Sequence, residues 1–201
     1  MTGLRDRKKH ALRQAIYDAA LQLFERDGYD AVSVATITRE LKIAKGTFFN
    51  HFPSKADILA EWYESTMMTS LDAPLPPGLS PAQRLVERVH SGGAQASKAP
   101  ELWRAKNAEA TRAASIQDAE RRVDTAFRDS LRAEIQSAVR DQVWREDVAP
   151  DALADLVITL ATGTWREIMV GNRVSDARGL LNARLATLLQ LCRIASEPSN
   201  D

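Results

Sequence analysis

The residues with most chemical potential lie in one stretch, "AKGTFFNHFPSK", residues 44–55. Two lysines, a threonine, an asparagine and a histidine stand there among three phenylalanines and a glycine. Phe48 and Phe52 are four apart and can share the buried face of a short helix. Thr47, Asn50 and His51 then point the other way, with groups able to hydrogen-bond base edges or phosphates. Lys45 and Lys55 fall where two helices begin, so their charges and the free backbone N–H groups can meet phosphate oxygens. Gly46 lets the backbone come close to such a partner. A core helix would avoid the lysines, and a solvated helix would avoid the phenylalanines. A helix anchored on one side and laid in the DNA major groove on the other uses both.

The elements that would position this stretch are all helical. Glycine and proline cluster at breaks, and no segment alternates over strand length, which predicts an all-α chain of about nine helices. A first helix is expected over about 7–27, with Leu12, Ile16, Ala19, Ala20, Leu23 and Phe24 on one face and Gly28 ending it. Ser33 caps a short second helix over 34–41, with Val34, Ile37 and Leu41 inward. "KIA" turns the chain without a glycine, and a third helix runs over about 45–51. Pro53 stops it. Ser54, with Asp57 three residues on, has the capping-box spacing for a fourth helix carrying Ile58, Leu59, Trp62 and Met67 inward. Helices two and three have the size of a helix-turn-helix, and helix one supplies the third member of that module.

Beyond it, "DAPLPPGLSP" is the clearest linker, and Ser80-Pro81 opens a fifth helix that Gly92-Gly93 is expected to break. A sixth begins near Pro100. An unbroken seventh is read from Ile116 to Trp144, with Val123, Phe127, Leu131, Ile135, Val139 and Val143 mostly four apart. Pro150 opens an eighth, closed by Gly171 and Asn172, and a leucine-rich last helix is read over about 176–196. The expected division is a helix-turn-helix domain over 1–53 and a helical ligand-binding and dimerisation domain over 54–201.

With these residues in place, "GYDAVSVATITRELKIAKGTFFNHFPSKADIL" resembles the DNA-binding region of the TetR family of bacterial repressors. The resemblance is carried by Phe24, Gly28, Tyr29, Val34, Ile37, Lys45-Gly46-Thr47-Phe48, His51-Phe52 and Ser54-Lys55 and spans about residues 8–60. It implies DNA contacts at Ser33, Lys45, Gly46, Thr47, Phe49, Asn50, His51 and Lys55. It also implies a homodimer on a palindromic operator, and a C-terminal domain whose small-molecule inducer spreads the heads and releases double-stranded DNA. Two positions depart from the family pattern. Phe49 stands where a tyrosine hydroxyl usually touches a phosphate, a loss of about 1 kcal/mol. Ala44 stands where a capping Ser or Thr is common, costing about 1 kcal/mol of helix stability. A transcriptional activator of the same fold, or a helical protein-interaction module, would carry the same residues.

The rest of the chain fits this reading. Residues 1–60 hold 10 Lys and Arg against 7 Asp and Glu, so the basic end of a formally neutral chain is the one expected to meet an anionic partner. Trp62, Trp103, Trp144 and Trp165 are candidate walls of an inducer pocket. Leu153, Leu156, Leu160, Leu181, Leu185 and Leu188 are candidates for a two-fold four-helix interface. His10, His51 and His90 have no partners at metal-ligand spacing, and no P-loop, dinucleotide fingerprint or catalytic set is recognisable, so neither metal, cofactor nor enzyme activity is expected. Cys192, the single cysteine, is expected to be buried. No run approaches the roughly 20 apolar residues of a membrane span, and the expected compartment is the cytoplasm.

Overall fold

The computed structural model describes residues 3–171 and 177–192. They form α1 (Leu4–Asp27), α2 (Val34–Glu40), α3 (Lys45–Phe49), α4 (Lys55–Asp72), α5 (Pro81–Lys98), α6 (Pro100–Glu109), α7 (Ala114–Arg140), α8 (Pro150–Gly171) and α9 (Ala177–Gln190). The all-α reading therefore holds among the described residues. By packing, the chain divides into two units, Met1–Thr66 with Lys98–Arg122, and Met67–Ser97 with Val123–Asp201. The division falls inside α4, α5 and α7, not after residue 53. Trp62 and Tyr63 on α4 hold Trp103 of α6 to the first unit, at ring-centroid distances of 5.9 and 5.4 Å.

In the first unit α1 buries Ile16, Ala19, Ala20, Leu23 and Phe24. Gly28 ends it at φ 84°, a conformation that costs glycine least, and its N–H donates to the Phe24 carbonyl at 3.1 Å. Ser33 caps α2, its Oγ accepting the Thr36 N–H at 3.1 Å. The turn into α3 places Lys42 at φ 54°, a left-handed residue where glycine would be easier. α3 starts at Ala44 with no side-chain cap, as read. Ser54 accepts the Ala56 N–H at 3.2 Å and donates to Asp57 Oδ2 at 2.6 Å, starting α4. Arg13 of α1 stacks 4.3 Å above the Phe52 ring and pairs through both terminal guanidinium nitrogens with Glu61 of α4. One side chain thus joins α1, the end of the third-helix segment and α4.

The second unit packs Leu85, Leu131, Ile135, Trp144, Val157 and Leu185 into its core. Two sequence expectations change here. Gly92-Gly93 does not break α5, which runs through both glycines. They serve packing instead: a Cβ at Gly93 would lie 1.8 Å from the Trp165 indole, and one at Gly92 3.0 Å from Met67 and Phe127. The seventh helix also ends sooner than Trp144. It closes at Arg140, Gln142 takes φ 56°, and the turn leaves Val143 44% exposed while burying Trp144. Cys192 is buried just after α9, its carbonyl accepting the Arg145 N–H at 3.0 Å. The part of the last helix expected beyond residue 192 lies outside the described residues.

Candidate nucleic-acid interface

The third-helix segment is held from one side only. Phe48 is fully buried, Phe52 nearly so, and Ile37 of α2 lies buried in the same unit. Phe48 meets Phe52 at a ring-centroid distance of 6.2 Å. The opposite side is left open: Lys45, Gly46 and Asn50 are exposed, Thr47 is half-buried, and Phe49 is 51% exposed. A Cβ added at Gly46 would meet nothing within 4 Å. The fold therefore does not require glycine there, and the missing side chain leaves backbone accessible to a partner.

Three other expected contacts have their own local chemistry. Ser33 is exposed at the start of α2, with its Oγ 3.0 Å from Thr36 Oγ1, so two hydroxyls stand together at that terminus. His51 is half-buried, and its Nδ1 is buried without a hydrogen-bond partner among the described residues. Burial, then the cations Lys9 and Arg13, push its pKa down, so it presents a neutral imidazole at pH 7. Lys55 turns inward. Its Nζ donates to the carbonyls of Tyr29 at 2.7 Å and Val32 at 3.0 Å and sits 4.0 Å from the Tyr29 ring centroid. Burial lowers its pKa. The sequence placed this ammonium toward phosphate; in the fold it satisfies two loop carbonyls.

Arg39 and Lys42 were not singled out in the sequence, yet both are exposed beside α3. The available signal was the recurrence of cations at 39, 42 and 45, with a left-handed turn presenting the middle one.

The four tryptophans fall in both units. Trp62 and Trp103 lie in the first, beside Tyr63. Buried Lys106 places its ammonium 4.2 Å from the Tyr63 ring centroid and 5.8 Å from that of Trp103, and pairs with Glu120. In the second unit Trp144 is a core residue and Trp165 packs on Gly93. A cleft of about 470 Å³ in that unit lies between the start of α5 and α9, lined by Leu79, Gln83, Val86, Glu87, Asn182 and Leu189 among others, and no tryptophan lines it. Of the leucines expected at a subunit interface, Leu153, Leu181 and Leu185 are buried within the second unit's own core. Leu156 is 55% exposed, and Leu160 and Leu188 are half-buried. Among the described residues no cluster of three metal-ligating side chains occurs, and no helix is long and apolar enough to cross a membrane.

Comparison with known proteins agrees with this geometry. Residues 16–62 match the profile of the bacterial regulatory proteins, tetR family. The chain is 39% identical over 61 residues to the uncharacterized HTH-type transcriptional regulator YuxN of Bacillus subtilis, covering 28% of this chain and 21% of that protein. It is 27% identical over 123 residues to the HTH-type transcriptional repressor KstR of Mycobacterium tuberculosis, covering 57% of this chain and 56% of that one. These alignments span between a fifth and somewhat over half of the relatives' length. Over the whole chain the fold matches Thermus thermophilus FadR, a TetR-family transcriptional repressor solved with lauroyl-CoA, with a TM-score of 0.71 over 94% of this chain and 99% of that one. The identity there is 18%, so this likeness concerns the fold.

Proposed function

We propose that this chain, which belongs to the TetR family of bacterial regulatory proteins, is a DNA-binding transcriptional regulator and acts as a homodimeric repressor released from a palindromic operator by a small molecule. The observation that carries the DNA-binding part is the one-sided anchoring of the third-helix segment. Phe48 and Phe52 fix it to its own unit, while Lys45, Gly46, Phe49 and Asn50 face outward. The geometry suits major-groove reading, with Lys45, Lys42 and Arg39 supplying phosphate neutralisation and Asn50 able to make a bidentate contact with adenine.

Dimerisation through α8 and α9 is supported by the outward Leu156 and by Leu160 and Leu188, which are only partly covered within one chain. Small residues Ala183, Ala186 and Thr187 are exposed on α9 and would allow close helix approach. FadR, of the same fold, is solved with lauroyl-CoA, and the second unit, which holds the cleft between α5 and α9, is the expected place for the effector here. α4 contributes residues to both units and is the element through which effector binding would reach the reading helices.

Selection of duplexes from a random-sequence pool, followed by fluorescence anisotropy at two salt concentrations, tests this reading. The expected result is a palindromic consensus, binding that weakens steeply with salt, and a changed base preference at one position per half-site in Asn50→Ala. Failure to enrich any sequence would refute operator reading and leave the interaction-module alternative.

A further inference from the structure

We infer that Phe49 reads sequence, its ring making an apolar contact with the 5-methyl group of a thymine in each operator half-site. The inference rests on the DNA-binding reading above and names one of its determinants. Phe49 is one of few large apolar side chains left well exposed among the described residues, and it lies in the third-helix segment next to exposed Asn50. Its ring carries no hydrogen-bonding atom, so it has nothing to offer a phosphate oxygen. It is not a loose surface ring either. It stands edge-to-face on Phe48 at 5.5 Å and 87°, and Phe48 is fully buried. Its position is therefore set by the core, and little freedom is lost on binding.

In the major groove the apolar group that distinguishes one base is the thymine methyl, and phenylalanine is among the side chains that contact it. Gly46, one turn before Asn50, has no side chain to hold the backbone away, and Lys45 at the start of the segment supplies a phosphate anchor. An exposed, pinned ring beside a groove-facing amide is thus placed to meet a methyl group. A contact with deoxyribose would use the same apolar ring but would be indifferent to the base.

The test removes the methyl group alone. Each thymine of the selected operator is replaced in turn by deoxyuridine, symmetrically in both half-sites, and affinity of the full-length protein is measured by anisotropy. The expected result is one position at which wild type loses about fourfold per methyl, the worth of one buried methyl group. Phe49→Ala should bind the thymine duplex more weakly and show no further loss with deoxyuridine. Phe49→Tyr, which keeps the ring, should retain the penalty and controls for folding of the alanine variant. Specific binding with no sensitive thymine, or a deoxyuridine penalty that persists unchanged in Phe49→Ala, would overturn the inference while leaving the DNA-binding reading intact. Selection of no duplex at all would overturn both.

Discussion

The ammonium of Lys55 is bound to the backbone of the loop that carries Tyr29, donating 2.7 Å to the Tyr29 carbonyl and 3.0 Å to that of Val32. It is a joint between the start of α4 and the α1–α2 connection, unlike Lys45, whose side chain is exposed. Two cations ten residues apart thus have different expected effects. Lys45→Ala should weaken binding to all duplexes and reduce the slope of log affinity against log salt by about 1.8, one phosphate being lost in each of the two half-sites. Lys55→Met should lower the melting temperature, since it strands two loop carbonyls, and should leave the salt slope unchanged. A flattened slope in Lys55→Met would show that its ammonium reaches phosphate in the complex.

Gly46 separates folding from binding. With nothing within 4 Å of an added Cβ, Gly46→Ala should fold normally and gain about 0.5–1 kcal/mol from helix propensity. Its operator affinity should nevertheless fall, because the methyl group intrudes where DNA approaches the backbone. A chemical-denaturation curve and an anisotropy titration on the same preparation check this. Unchanged affinity would remove Gly46 from the interface.

His51 makes stability depend on pH. Burial and the nearby Lys9 and Arg13 hold its pKa below the ordinary value. The neutral form is thus favoured by folding, and that stability is present above the unfolded-state pKa of about 6.5 and lost as pH falls through the lower folded value. Thermal melts of wild type should therefore drop as pH falls below about 6.5, by an amount that His51→Gln diminishes. Parallel curves for the two proteins would contradict it.

Gly93 is the position where one methyl group should matter most to folding. Gly93→Ala drives a carbon into the Trp165 indole and should destabilise the protein by about 1–3 kcal/mol or more. The loss should be smaller in a Trp165→Ala background, and a double-mutant cycle of denaturation curves measures that coupling. Additive effects would mean that the indole moves aside without cost.

The legibility of this chain follows from how local each determinant is. The helices of the N-terminal module were readable because their signals act over a few residues: Ser33 capping α2, Ser54 with Asp57 starting α4, and Gly28 ending α1. Phe48 and Phe52 could be assigned inward, and Lys45 and Asn50 outward, because helical periodicity settles faces wherever one side is apolar. What only the tertiary structure decided depends on partners distant in sequence. Gly92-Gly93 has the composition of a helix break, and only the arrival of Trp165 and Phe127 makes it a packing notch inside α5. Lys55 has the composition of a phosphate contact, and only the carbonyls 23 and 26 residues earlier turn it inward. The tryptophans and leucines carried no directional signal, since a large apolar side chain suits a core, a pocket or a subunit seam equally. Trp144 and Leu185 are placed in the second unit's core, and Leu156 outside it, by the packing of whole helices, a relationship between segments that no single stretch of sequence contains.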